Sequence, residues 1–304
     1  MKTFWNGVIP ALTTPFKPDG TVDHAFLAKH AGMMIDAGCT AIVPLGSLGE
    51  TATLTGAEKK AVLETVVKAV GKRGAVISGV AAISTDEAVA LAKTAADAGC
   101  GGLMVLPPYV YSSDWREMKH HVSTVIRATP LPCMLYNNPI AYKTDFLPAQ
   151  VAELASELRN LAAVKESSTD IRRIAAIKAL VGSRLSILVG VDDMIVEGIA
   201  AGATGWIAGL VNAYPRESVA LFEMAMDGRH EELRPLYEWF LPLLRLDTVV
   251  KFVQLVKLVQ ESVGMGSALV RSPRLQLAGE ELAQAQKVIA HAMATKPELR
   301  LVEA

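Results

Sequence analysis

The chain has 304 residues, of which 51% are hydrophobic and 20% charged, and its formal net charge is −1. That composition suits one large soluble domain with a sizeable buried core, and it offers no basic field for a nucleic-acid or membrane partner. No apolar run reaches transmembrane length, and the N-terminus lacks a basic segment followed by an apolar core, so neither a membrane span nor a signal peptide is expected.

Short apolar runs bounded by turn residues read as buried strands, and apolar residues at three- and four-residue spacing read as helices. The first run, 7–12, precedes a predicted helix over 23–37. The second, 41–45, leads through Gly46-Ser47-Leu48-Gly49-Glu50-Thr51 into a helix over 55–70, with Ala61, Val62, Thr65, Val66 and Ala69 as its apolar stripe. The pattern continues with strands 75–79, 102–106, 132–137, 161–166, 186–190 and 205–208. They alternate with helices 85–98, 113–128, 147–158, 170–181, 194–201 and 216–227. Gly38, Gly99 and Gly202 stand where a helix stops in the left-handed conformation. Cap-like residues open several helices: Ser84-Thr85-Asp86-Glu87, Ser112-Ser113-Asp114 and Ser168-Thr169-Asp170. Eight strand–helix units predict an α/β fold, a (β/α)8 TIM barrel over 1–228. After Gly228 only helices follow, over 231–246, 248–263 and 279–292, and 229–304 reads as a C-terminal helical extension of the same domain. A doubly wound sheet is the rival, but its glycine fingerprint is missing after the first strand.

Barrel sites form at the C-terminal ends of the strands. That rule collects Gly46, Ser47, Leu48, Gly49, Glu50, Tyr109, Tyr136, Lys165, Gly190 and Ile207 at one mouth. Lys165 ends the apolar run Leu161-Ala162-Ala163-Val164. A buried lysine is costly unless it is paired or loses its proton, and a neutral buried amine is a strong nucleophile toward ketones. Tyr136, at the end of the preceding strand, is a candidate general acid/base. The bland readings are a salt-bridged strand-end lysine and a core tyrosine with a satisfied hydroxyl. Gly46-Ser47-Leu48-Gly49 can turn backbone N–H groups on a substrate carboxylate, or can be an ordinary turn before a helix capped by Thr55. Glu50 is assigned to loop structure, and Tyr109 lies on a proline-stiffened loop. Asp192-Asp193 reads as hydrogen-bonded loop structure. Cys39, Cys100 and Cys133 form no Cys-x-x-Cys pair, and the six histidines show no metal-ligand spacing. A reducing, cytoplasmic location and no metal or organic cofactor are expected.

Gly-Ser-Leu-Gly-Glu-Thr-Ala-Thr-Leu at 46–54, Pro-Pro-Tyr at 107–109, Leu-Tyr-Asn-Asn-Pro at 135–139 and Val-Lys-Glu-Ser-Ser at 164–168 occur in order. Together they resemble the signatures of the dihydrodipicolinate synthase / N-acetylneuraminate lyase family, across essentially the whole chain. The resemblance implies a (β/α)8 barrel that forms a lysine Schiff base with a 2-oxo acid, in a homotetramer of tight dimers. By position, Lys165 matches the imine lysine and Tyr136 the proton-relay tyrosine. Ser47 and the Leu48 amide match the carboxylate cradle, Tyr109 the tight-dimer tyrosine, and Gly190 and Ile207 the pocket wall.

The departures from the family pattern set the order of substrates. The synthase usually has Thr-Thr where this chain has Ser47-Leu48, and an arginine where Ala141 stands. Leu48 cannot join a hydroxyl relay, and losing a bidentate carboxylate anchor is a large change. Gly-Ser followed by a large apolar residue, with Val189-Gly190-Val191-Asp192, is more similar to the 1-pyrroline-4-hydroxy-2-carboxylate deaminases. Deamination of that imine is the leading expectation. The alternatives are a 2-keto-3-deoxy sugar acid aldolase or dehydratase, a hydratase-aldolase, the synthase itself, and a catalytically silent small-molecule-binding barrel.

Overall fold

The computed structural model describes residues 4–108 and 114–298. The chain runs β1 (Gly7–Pro10), α1 (His24–Asp36), β2 (Ala41–Ile42), α2 (Gly56–Val70), β3 (Ala75–Val80), α3 (Thr85–Asp97), β4 (Gly102–Val105) and α4 (Trp115–Arg127). It continues with β5 (Cys133–Asn137), α5 (Pro139–Tyr142), α6 (Pro148–Glu157), β6 (Leu161–Glu166), α7 (Arg172–Val181), β7 (Ser186–Val189), α8 (Ile195–Ala200), β8 (Gly205–Ala208) and α9 (Pro215–Met226). Past Gly228 lie α10 (His230–Leu244), α11 (Phe252–Ser262) and α12 (Gly279–Ala294).

All strand pairs are parallel, in the order β1-β8-β7-β6-β5-β4-β3-β2. A parallel bridge between Ala11 and Val43 closes the ring, with Val43 N–H donating to Pro10 O at 2.9 Å. The protein is a (β/α)8 TIM barrel with helices after it. Alternate strand residues face opposite sides. Ile9, Val43, Ile77, Met104, Met134, Ala163, Leu188 and Ile207 therefore fill the barrel, while Val8, Ile42, Val76, Leu103, Leu135, Val164, Ile187 and Trp206 pack outward against the helices. The outer layer continues without a break into Phe240, Val256 and Ile289 of the C-terminal helices.

Local chemistry explains most element ends. Gly38, Gly99 and Gly202 take φ of 104°, 86° and 106°, a region that penalises a Cβ, and each follows a helix. Thr55 and Asp114 cap α2 and α4 through reciprocal capping boxes, each worth about 1 kcal/mol, and Ser84 caps α3.

Some expectations are corrected. The helix predicted from 170 starts at Arg172, because Thr169 is left-handed and the Asp170 carboxylate accepts the Arg172 N–H instead of capping. Of the stripe predicted for α2, Val62 and Val66 are buried with Leu63 and Val70, while Ala61, Thr65 and Ala69 are half-buried at its edge, where the Thr65 hydroxyl meets His24. β2 ends at Ile42 rather than at 45, since Leu45 has a positive φ. The helix predicted from 248 begins only at Phe252, after a 3-10 turn over Arg245–Asp247. Tyr109 lies outside the described residues. No helix among the described residues is long and apolar enough to cross a membrane.

Candidate active site

Tyr136 and Lys165 are register partners on β5 and β6. Each sits two residues beyond an inward-facing core residue, Met134 and Ala163, so both side chains enter the barrel at its C-terminal end. Lys165 Nζ lies 4.2 Å from the centroid of the Tyr136 ring. The two residues are only 6% and 5% exposed, so the amine and the phenol meet away from bulk water. Burial pulls the Lys165 amine down to about 8, against the opposing pull of Asp247 and Asp192. Burial pushes the Tyr136 phenol up to about 12. Its oxygen accepts a hydrogen bond from Asn138 Nδ2 at 2.9 Å, so the phenolic proton is left to be given elsewhere.

Gly190, just past β7, makes room for the lysine. A β-carbon there would lie 2.6 Å from Lys165 Cε and 2.0 Å from Ser167 Oγ. Ile207 is buried on β8 in the same inner cluster as Tyr136 and Leu188.

The loop after β2 is held in a strained shape. Leu45 and Glu50 take φ of 62° and 53°, rare for residues with a side chain. Gly79 on β3 permits its approach, because a β-carbon there would lie 2.3 Å from Leu45 O. Among the described residues the Ser47 and Leu48 N–H groups donate to no partner, so both can bind an anion. The Ser47 hydroxyl bonds the Tyr142 hydroxyl, and the Tyr142 ring stands edge-on to Tyr136 with centroids 5.8 Å apart. The Leu48 side chain packs in the outer layer, so its amide, not its isobutyl group, is what this residue can offer a ligand. Glu50 is buried and receives Lys257 Nζ from α11 and the Arg271 N–H, which fastens the loop to the C-terminal helices.

Two carboxylates complete the mouth. Asp192 accepts from Trp206 Nε1 at 3.1 Å and from the Gly209 and Leu210 N–H groups at 3.0 and 2.9 Å, and burial lifts it to about 6. Asp247 rests on Gly209, where a β-carbon would meet its Oδ1 at 2.4 Å. The structure thus gathers Lys165, Tyr136, Gly190 and Ile207, and joins Ser47 to them through Tyr142. Sequence reasoning passed over Tyr142, Asn138, Ser167 and Asp247. Asn138 and Ser167 lie inside quoted motifs and Tyr142 three residues past one, so these were within reach, whereas Asp247 carries no local signal.

The family described as the Dihydrodipicolinate synthetase family matches residues 5–292. The chain belongs to this family. It is a lyase of the class that works through a lysine Schiff base. A 4-hydroxy-tetrahydrodipicolinate synthase of Methanothrix thermoacetophila is 31% identical over 286 residues, covering 94% of this chain and 96% of that protein. The structure of the 4-hydroxy-tetrahydrodipicolinate synthase from Methylacidiphilum fumariolicum SolV superposes with a TM-score of 0.91 at 26% identity, over 95% of this chain and 96% of that one. A prophage protein of the same family from E. coli K12, solved in complex with pyruvate, has a TM-score of 0.88 at 26% identity, over 95% of this chain and 98% of that one.

Proposed function

We propose that Lys165 forms an imine with the C2 carbonyl of a 2-oxo acid, with Tyr136 as its proton relay. The observation that carries this reading is the buried Lys165 amine 4.2 Å from the centre of the equally buried Tyr136 ring, where burial lowers the amine and raises the phenol. The substrate carboxylate rests on the Ser47 and Leu48 amides. The neutral amine adds to C2, and Tyr136 supplies the proton that lets the carbinolamine oxygen leave as water. The protonated imine then withdraws electrons, so a C3 proton can leave and an enamine forms. Tyr142, tied to Ser47 and packed on Tyr136, holds the phenol in line.

Two finer readings divide what the enamine does next. The names of the relatives favour its addition to aspartate semialdehyde, as in a 4-hydroxy-tetrahydrodipicolinate synthase, over the deaminase reading that leads from sequence alone. One feature supports the second reading, elimination from 1-pyrroline-4-hydroxy-2-carboxylate: Ala141 offers no charge for a second carboxylate at the place where the synthase keeps an arginine. A homo-oligomer built through the 109 loop is part of the same proposal.

Borohydride with pyruvate should modify Lys165 covalently. Peptide mapping that finds no adduct, or an adduct on another lysine, removes the imine assignment. The two finer readings separate in parallel assays of pyruvate plus aspartate semialdehyde and of 1-pyrroline-4-hydroxy-2-carboxylate. The higher kcat/KM names the reaction.

A further inference from the structure

We infer that Asp247, delivered by the turn between α10 and α11, is the acid–base residue for the oxygen on substrate carbon 4. The inference rests on the imine at Lys165. Its starting point is an imbalance between two neighbouring carboxylates. Asp192 is saturated by three N–H donors from Trp206, Gly209 and Leu210, which is how a structural carboxylate is built. Asp247 Oδ1 is shielded from solvent and has no hydrogen-bond partner among the described residues. A buried polar atom without a partner is uncommon, and in a site it points to a group kept for a ligand.

Its place fits that use. The carboxylate lies on the α-carbon of Gly209, directly past the end of β8, and its charge acts on Lys165. In strand order Tyr136 is on the β5 side of Lys165, and Gly209 with Asp247 is beyond β7 on the other. An imine on Lys165 thus has a phenol on one flank and a carboxyl group on the other. The phenol, in contact with the lysine, serves the nitrogen and C3. The carboxyl group is left for the next functional atom, the oxygen on C4. Burial and the neighbouring Asp192 raise Asp247 well above the usual carboxylate range, against the pull of Lys165, which favours a carboxyl group that exchanges its proton.

The step balances in either direction of chemistry. In condensation, the enamine pair forms the C3–C4 bond, the carbonyl π pair moves to oxygen, and Asp247 protonates that oxygen while the iminium re-forms. In elimination, the enamine pair forms C3=C4, the C4–O bond breaks, and the Asp247 proton leaves with the hydroxyl as water. The C3 proton restores Tyr136, and in either direction the proton released when the iminium is hydrolysed back to neutral Lys165 restores Asp247.

Asp247→Asn keeps the shape and removes the transferable proton. Gly209→Ala displaces the carboxylate by a different route, and at φ −90° its backbone accepts alanine. Both variants are compared with wild type in borohydride trapping of pyruvate, in exchange of the pyruvate methyl protons with D2O, and in kcat. The kcat assay uses whichever wild type turns over faster, pyruvate plus aspartate semialdehyde or 1-pyrroline-4-hydroxy-2-carboxylate. Trapping and exchange, which never involve C4, should stay within about threefold, while kcat falls ~10²–10³. Retained exchange also shows that the variant is folded. An Asp247→Asn enzyme with kcat within threefold of wild type overturns the inference. So does a parallel fall in exchange and kcat, which makes Asp247 a counter-ion of Lys165. Absence of any adduct in wild type instead removes the imine reading itself.

Discussion

At the residue scale, the site works by withholding water. An amine in solution is protonated at neutral pH, and the buried Lys165 is not wholly so. The rate of pyruvate trapping on Lys165 should therefore rise about tenfold for each pH step below 8 and level off above it. A rate still climbing at pH 10 would mean an amine with an ordinary pKa. Tyr136 stays protonated over that whole range, so it adds no limb of its own. Tyr136→Phe keeps the buried ring and loses the proton. We expect trapping to remain measurable and kcat to fall by ~10²–10⁴, with an unchanged kcat taking Tyr136 out of the chemistry.

At the element scale, the loop after β2 is not self-supporting. Its left-handed Leu45 and Glu50 need something to hold them, and the holder is α11, through Lys257 and Glu50. Breaking a buried pair by removing one partner leaves a charge in low dielectric. Lys257→Met should cost about 3–5 kcal/mol in urea unfolding, with KM for the 2-oxo acid rising as the loop loosens. A loss below 1 kcal/mol would show that Arg271 alone carries Glu50. The sequence placed Glu50 in loop structure but could not name its partner, which lies 207 positions away.

At the scale of the whole molecule, His30 ties α1 to the end of β8 and to α11. Its Nε2 meets Asn212 Oδ1 at 3.2 Å and Gln260 Nε2 at 3.4 Å, and burial depresses it to about 4. The folded state therefore prefers neutral histidine, and between pH 4 and 6.5 the unfolded chain binds the extra proton. The stability this group contributes is complete above 6.5 and drains away as pH falls toward 4, by roughly 3 kcal/mol. Unfolding free energies at pH 7 and pH 4 should differ less in His30→Gln than in wild type. Equal differences would place the acid sensitivity elsewhere.

Much of this protein is determined by local sequence. Alternating apolar runs and helical stripes, with glycine stops at Gly38, Gly99 and Gly202, specify eight strand–helix units, because each strand and helix must bury its own apolar face. Lys165 and Tyr136 are legible for the same reason: a charged or phenolic residue ending a buried strand breaks its pattern. The tertiary structure alone decided what stands opposite them. Pairing of β5 with β6 makes Tyr136 and Lys165 register partners, and the folded barrel brings Tyr142 onto Ser47 and packs the Leu48 side chain in the outer layer. It also carries Asp247 from a turn predicted to be almost continuous helix onto Gly209 at the mouth. A lone aspartate between two helices looks like any solvated turn residue. Its Oδ1 is shielded only when the C-terminal helices fold over the strand ends and exclude the water around it.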